Sequence, residues 1–153
     1  MKKILFSTIL SLGLLFFAEA AANAQTISGS IGPVTRGGTT RGTVVIRIPA
    51  GLHVNSNRPN SQYAIPTTVK ISTTGIKFGS IIYPKGKNRK FQFSEDTLNV
   101  YEGTVSFGFS FTVPANFKGK VVNVNAVIRY QACTNEVCYP PKTKTIKLTA
   151  NIK

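Results

Sequence analysis

The sequence contains no tryptophan, a single histidine, two cysteines and five acidic residues in 153 positions. Three cysteine and histidine side chains cannot complete a four-ligand structural zinc site, so no metal is expected. No serine, histidine and aspartate stand in a nucleophile-elbow context, and no glycine-rich phosphate loop precedes a helix. The signatures of hydrolases and of nucleotide-binding enzymes are therefore absent, and we expect no cofactor.

The first 24 residues are typical of an export signal rather than of a folded segment. Lys2 and Lys3 precede an apolar run over residues 4–17, and Ala-Asn-Ala at residues 22–24 supplies the small residues of a cleavage site before Gln25. The apolar run is shorter than the roughly 20 residues of a membrane span. We therefore expect a protein that is periplasmic or otherwise exported, without stable membrane insertion.

Basic side chains outnumber acidic ones by 19 to 5, and removal of the signal, with its two lysines and one glutamate, leaves 17 and 4. The cations are spread along the chain, which favours a solubilising surface over a site for nucleic acid or anionic lipid. The one cluster, Lys85, Lys87, Arg89 and Lys90, lies beside a proline and a glycine and is predicted to be a solvated loop. No RNA-binding or helix-turn-helix pattern is present, so no nucleic-acid partner is expected.

Apolar and polar residues alternate along most of the remaining chain, as they do in half-buried β-strands. The clearest case is residues 104–113, in which Phe107, Phe109 and Phe111 share one face with two valines and are predicted to lie in the core. No segment has the period of an amphipathic helix. The predicted strands are residues 43–49, 66–72, 76–83, 98–101, 104–113, 120–132 and 143–152.

Seven strands in about 120 residues predict a single all-β domain, an immunoglobulin-like antiparallel β-sandwich. We place this domain at residues 43–153. Residues 25–42 are rich in glycine, serine and threonine and are expected to form an N-terminal lead-in, or an edge strand near residues 28–34.

Cys133 and Cys138 lie between two of the strongest predicted strands, in an exported protein in which a disulfide would persist. A turn would bring their Cα atoms within the roughly 7 Å that a bridge requires. Closing so short a loop contributes only about 2 kcal/mol, and a short exposed loop leaves sulfur accessible to the thiolate of another protein. The spacing alone leaves open whether the bridge is a structural staple or a redox pair.

The residues around the pair are more specific than its spacing. Residues 130–141 read Tyr-Gln-Ala-Cys-Thr-Asn-Glu-Val-Cys-Tyr-Pro-Pro. This segment closely resembles the active-site segment of the periplasmic N-terminal domain of the thiol–disulfide interchange reductase DsbD. Residues 51–59, 65–67 and 100–103 are similar to further stretches of that family, so the resemblance covers residues 43–150.

The resemblance implies an immunoglobulin-like domain that carries a redox-active cysteine pair and exchanges electrons with thioredoxin-like proteins. It implies that Cys138 forms the mixed disulfide with a partner and that Cys133 resolves it. The electron donor, fed by a separate membrane protein, and the acceptor would both be other chains. The protein would then be a thiol–disulfide oxidoreductase that acts only together with them.

In this family a cap loop with an aromatic side chain covers the cysteines between encounters with partners. Residues 90–96 fall in the matching stretch, which makes Phe91 and Phe93 the candidates for the cap. By the same resemblance, Glu95 and Asp96 are candidates for carboxylates that tune the thiol.

Four further residues are interpreted individually: three lie in or directly after the cysteine loop, and the fourth, His53, lies far from it in the sequence. Glu136 lies inside the loop, where its charge opposes a thiolate and so also makes it a candidate for tuning the thiol. Tyr139 and Pro140 are expected either to shield the disulfide and fix the exit of the loop or to contact a partner. His53 has no second histidine or carboxylate cluster nearby, which is more typical of a hydrogen-bonded structural residue than of a ligand or base.

Three functions remain from different classes. The first is an exported module that passes electrons between thioredoxin-like partners through the cysteine pair. The alternative is a redox-silent immunoglobulin-like binding module with a structural disulfide. The third is a basic protein that binds an anionic envelope surface.

Overall fold

The computed structural model describes residues 25–153, and the predicted signal at residues 1–24 lies outside them. The described part contains ten strands and no helix that could cross a membrane. The strands are β1 (Thr26–Ile31), β2 (Thr39–Arg47), β3 (His53–Asn55), β4 (Thr68–Ser72), β5 (Lys87–Lys90), β6 (Thr97–Tyr101), β7 (Thr104–Thr112), β8 (Val121–Tyr130), β9 (Ala132–Cys133) and β10 (Lys142–Asn151). The all-β class predicted from the alternation is confirmed.

Two antiparallel three-stranded sheets, β1-β2-β7 and β10-β8-β4, enclose one hydrophobic core. The alternation dictates this arrangement, because every second side chain of β7 and β8 is buried. Phe107, Phe109 and Phe111 enter the core from β7, and Val124 and Ile128 enter it from β8. Each such side chain contributes about 1.5–3 kcal/mol to folding when it is fully buried. The predicted antiparallel sandwich is confirmed.

A third sheet, in the order β5-β6-β3-β9, carries the cysteine pair. It continues two strands of the sandwich, because β6 leads into β7 across Glu102-Gly103, and β8 leads into β9 across Gln131. Gly103 has a φ of 68°, a left-handed conformation that glycine adopts without strain. The sandwich thus fixes the two long strands from which this smaller sheet extends.

Four segments differ from the strands predicted from the sequence. Residues 76–83 form no continuous strand but only isolated bridges to β7, at Phe78 and Ile82. β3 was not predicted, since three residues are too few to show a period. β2 begins at Thr39, inside the predicted lead-in, and β1 precedes it. The basic cluster predicted to be a solvated loop is largely β5, whose backbone pairs with β6 while its side chains stay exposed.

Candidate active site

Cys133 and Cys138 form a disulfide across a tight hairpin. Cys133 ends β9, and Cys138 returns as its antiparallel bridge partner with the two Cα atoms 4.0 Å apart. The backbone N–H of Thr134 donates to the carbonyl of Val137 at 2.8 Å. The hydroxyl of Thr134 accepts hydrogen bonds from the N–H groups of Glu136 at 3.1 Å and Val137 at 3.0 Å. The hairpin is therefore held by its own hydrogen bonds as well as by the disulfide.

The two cysteines differ in exposure. Cys133 is 0% exposed, whereas Cys138 is exposed at the surface of the hairpin. Thiol–disulfide exchange requires an attacking thiolate to reach a sulfur atom. A protein partner can therefore approach Cys138, while Cys133 is covered on every side.

The loop between β5 and β6 carries both predicted cap residues next to this sheet. Phe91 is buried and its ring stacks on His53, with ring centroids 4.0 Å apart and an interplanar angle of 11°. Phe93 stacks on Phe91 at 5.3 Å and is 37% exposed. His53 is in turn the strand partner of Cys133. The two phenylalanines thus lie over the strand beside the buried cysteine.

His53 is 2% exposed, and its Nε2 atom is buried without a hydrogen-bond partner. The expectation of a hydrogen-bonded structural histidine is therefore wrong for this nitrogen. Burial lowers the pKa of His53 below its ordinary value, an effect that the Glu102 carboxylate opposes and the Arg89 guanidinium reinforces. Burial prevails because an imidazolium loses its hydration there. The imidazole is accordingly neutral near pH 7.

A second polar side chain of β3 connects to the exit of the hairpin. The amide of Asn55 donates to the side-chain oxygen of Gln131 at 3.3 Å and to the carbonyl of Ile65 at 3.0 Å. The amide of Gln131 in turn donates to the carbonyl of Tyr139 at 3.1 Å. Tyr139 also donates its backbone N–H to Ala132 at 2.9 Å. These bonds position the residue that follows Cys138.

The predicted thiol-tuning carboxylates occupy two exposed places. Glu95 and Asp96 lie at the end of the loop that carries the phenylalanines, and Glu136 lies at the tip of the cysteine hairpin. Within residues 25–153, ion pairs form only at Glu102, which binds Arg89 at 3.1 Å and Lys87 at 3.5 Å. The carboxylates of Glu95, Asp96 and Glu136 form no ion pair in this part of the chain, and their predicted effect on the thiol stays a prediction.

Apolar side chains are exposed around the hairpin. Val137 is 54% exposed and Tyr139 is 45% exposed, on either side of Cys138. Pro140 follows and is exposed as well. The residues next to the accessible cysteine in the chain thus present apolar surface, which is the kind of surface that partner proteins cover.

Sequence reasoning interpreted His53 as a structural residue and missed its pairing with Cys133, and it also missed the hydrogen bonds of Asn55 and Gln131. A signal for His53 was present, since it is the single histidine of the chain and lies in a stretch that resembles the family. Its proximity to Cys133 depends on the pairing of β3 with β9, which no local pattern encodes. In the described residues no group of three or more histidine, cysteine or acidic side chains is arranged to hold a metal ion.

Comparison with known proteins gives a family match over nearly all of the described chain. The family described as "Thiol:disulfide interchange protein DsbD, N-terminal" matches residues 24–150. Thiol:disulfide interchange protein DsbD of Actinobacillus pleuropneumoniae serotype 5b (strain L20) is 22% identical over 97 residues. These are 63% of this chain but 15% of that protein, so the chain matches only a small part of its length.

A solved structure shares the fold. The N-terminal periplasmic domain of ScsB from Proteus mirabilis superposes with a TM-score of 0.57 at 12% sequence identity. The superposition covers 88% of this chain and 49% of that one. At this identity the likeness concerns the fold alone, and it agrees with the antiparallel sandwich described above.

Proposed function

The chain belongs to the family of N-terminal domains of thiol:disulfide interchange protein DsbD, and we propose that it passes electrons between thioredoxin-like proteins through Cys133 and Cys138. The observation that carries this proposal is the pairing of an exposed cysteine with a buried one in a single hairpin. The family membership supports thiol–disulfide exchange as the chemistry. The partners and the assignment of roles to the two sulfurs are our inference.

The exchange proceeds in two balanced steps. In the reduced protein the Cys138 thiolate attacks a disulfide of the acceptor, which forms a mixed disulfide and releases one acceptor thiolate. Cys133, as a thiolate, then attacks the Sγ of Cys138, which closes the intramolecular bond and releases the second acceptor thiolate. Two electrons pass to the acceptor, and a dithiol of the donor restores the reduced pair by the same steps in reverse.

The surroundings of the hairpin support these roles. Cys138 is exposed and can meet a partner, whereas Cys133 is buried and positioned to attack only its neighbour. Val137 and Tyr139 provide apolar contact area on either side, and Phe93, on the loop between β5 and β6, is a further exposed apolar group. We propose that Phe91 and Phe93 form the cap, with Phe91 as its buried anchor and Phe93 as the part that a partner displaces.

The location and the carboxylates complete the proposal. The N-terminal domain of ScsB, which shares the fold, is a periplasmic domain. We propose the same compartment for this chain. Glu95, Asp96 and Glu136 place negative charge on both segments that flank the pair. A carboxylate near a thiol disfavours the thiolate, so we propose that these residues moderate the reactivity of Cys138.

The alternative of a redox-silent module with a structural staple fits the hairpin less well. Thr134 already ties the turn through its backbone and hydroxyl, and Tyr139 pairs with Ala132 beyond the disulfide. A short loop that is held in this way gains little from a covalent bond, about 2 kcal/mol by the chain-entropy estimate. The exposure of Cys138 is also unnecessary for a staple.

A trapping experiment tests the proposal. Cys133→Ser removes the resolving thiol, so the protein is expected to accumulate as a mixed disulfide with an oxidised thioredoxin-fold protein, visible as a shift on non-reducing gels. Cys138→Ser is the matched control, because it leaves only the buried thiol and is expected to trap nothing. Equal trapping by both variants would contradict the assigned roles, and trapping by neither would contradict the exchange function.

A further inference from the structure

The resolving step needs a route for a proton, and the structure buries the cysteine that must lose it. Cys133 is 0% exposed, and burial in apolar surroundings favours the protonated thiol over the thiolate. Yet only the thiolate is nucleophilic. A buried resolving cysteine therefore benefits from a base within its own environment.

His53 is placed to be that base. It is the direct partner of Cys133 in the antiparallel pairing of β3 with β9. Side chains of directly opposite residues project to the same face of a sheet with their Cβ atoms about 4.5–5.5 Å apart. Both side chains are buried, so water does not compete for the proton at this position.

An unsatisfied hydrogen-bonding atom in the oxidised protein also points to His53. Nε2 of His53 is buried without a partner, which is an unfavourable condition for a polar atom and calls for an explanation. In the disulfide, Cys133 has no S–H to offer. In the reduced protein its thiol is a donor, so reduction supplies, on the strand paired with His53, a donor that the oxidised protein lacks.

We propose that His53 accepts the proton that the Cys133 thiol loses when Cys133 resolves the mixed disulfide. This inference rests on the proposed exchange function and adds a residue to it. The proton passes from Cys133 Sγ to the imidazole, the sulfur attacks Cys138 Sγ, and the partner leaves as a thiolate. The imidazolium then releases its proton to the departing thiolate or to water, so charge and protons balance.

The charges around His53 are compatible with this role. Glu102 and Arg89 are the charged groups that act on the imidazole, with opposite effects, and they bind each other at 3.1 Å. Lys87 shares the same carboxylate. Phe91 and Phe93 cover the ring without adding a titrating group. Burial keeps the pKa of His53 low, so the ring is in its proton-accepting form at neutral pH.

A small neutral disulfide separates the two steps without a protein partner. Reduced protein mixed with dithiodipyridine releases one thiopyridone when Cys138 attacks and a second when Cys133 resolves the adduct. Stopped-flow absorbance records both phases. Cys133→Ser provides the control for assignment, because it should release only the first equivalent.

His53→Phe retains a flat ring for Phe91 to stack on but cannot accept a proton. We expect its first phase to match that of the wild type. Its second phase should slow by at least about 10-fold at pH 7, since a general base typically speeds a proton transfer by about 100-fold or more. In the wild type the second phase should slow as pH falls through the pKa of His53. In the variant it should instead keep rising with pH towards the thiol pKa, about 8.5 for a free cysteine and higher when buried.

The outcomes distinguish the two proposals. If the wild type releases both equivalents and His53→Phe has the same second phase and the same pH profile, the role of His53 is wrong while the exchange function stands. If the wild type releases only one equivalent, Cys133 does not resolve and the exchange function itself fails. His53→Gln, which is also unable to act as a base at neutral pH, replaces the phenylalanine variant if that protein does not fold.

Discussion

The ring of Phe91 lies flat against the imidazole of His53, with the centroids 4.0 Å apart and the planes 11° from parallel. The ring of Phe93 is nearly parallel to both, with its centroid 5.3 Å from that of Phe91 and 6.3 Å from that of His53. Since His53 is the strand partner of Cys133, the loop between β5 and β6 is anchored on the strand beside the buried cysteine. The two candidate cap residues are therefore packed on the same histidine that pairs with Cys133.

The exposed end of this stack should control the rate at which the disulfide is attacked. Phe93→Ala is expected to speed reduction of the bridge by dithiothreitol several-fold, because it removes the partly exposed member of the stack, which we propose to be the movable part of the cap. Its effect on stability should stay small, as for most surface substitutions. The rate is read from the appearance of free thiols, and the stability from thermal unfolding.

Two further variants serve as controls for Phe93→Ala. Ile82→Ala removes a side chain that is also exposed but lies beside β7, and it should leave the reduction rate unchanged. Phe91→Ala removes a buried ring, and it should lower the free energy of unfolding by about 3 kcal/mol. Equal reduction rates for Phe93→Ala and Ile82→Ala would show that Phe93 is not part of a cap.

The burial of His53 predicts a dependence of stability on pH. Its pKa is lowered in the folded protein, whereas in the unfolded chain it is about 6.5. The unfolded state therefore binds more protons as pH falls below about 6.5, and the free energy of unfolding decreases there. Carboxylates titrate mostly at lower pH, near their pKa values of about 4.

Urea unfolding at a series of pH values between 7 and 5 measures this contribution. The wild type should lose stability over this window, and His53→Phe should lose much less, because phenylalanine does not titrate. Parallel curves for the two proteins would mean that the folded state accommodates the imidazolium as readily as water does. Such a result would also weaken the case for a neutral imidazole beside Cys133.

The sequence was sufficient for the parts of the fold that repeat with a period. Phe107, Phe109 and Phe111 alternate with small polar residues, and alternation with a buried face specifies a strand directly. The cysteine hairpin was equally accessible, because both of its ends lie within a few residues of each other. Local patterns report on local structure, and these elements are local.

The remaining features depend on pairing between distant segments. His53 meets Cys133 only because β3 pairs with β9, and β3 has three residues, too few to show a period. β5 illustrates a second limit, since its exposed basic side chains predict a solvated loop although its backbone pairs with β6. Side-chain patterns report burial, whereas an edge strand is defined by backbone hydrogen bonds.

The reduction potential of the Cys133–Cys138 bridge decides between exchange and staple. Thioredoxin-like carriers have potentials of roughly −120 to −270 mV, and a domain that trades electrons with them must lie within or close to that range. We expect such a value here, because Cys138 is exposed and exposed bridges have higher, more oxidising potentials than buried structural ones. Equilibration against glutathione and dithiothreitol series, with thiols counted by mass, gives the value.

Thr134→Val tests how far the turn of the hairpin lowers that potential. It removes the hydroxyl that accepts two backbone hydrogen bonds in the turn, so the reduced hairpin should open more readily while the oxidised hairpin stays closed by its covalent bond. Opening the reduced form makes the thiols less well placed to react and should shift the potential upwards, towards easier reduction. A wild-type potential well below about −300 mV would mark a structural staple, and the redox-silent binding module would then be the better description.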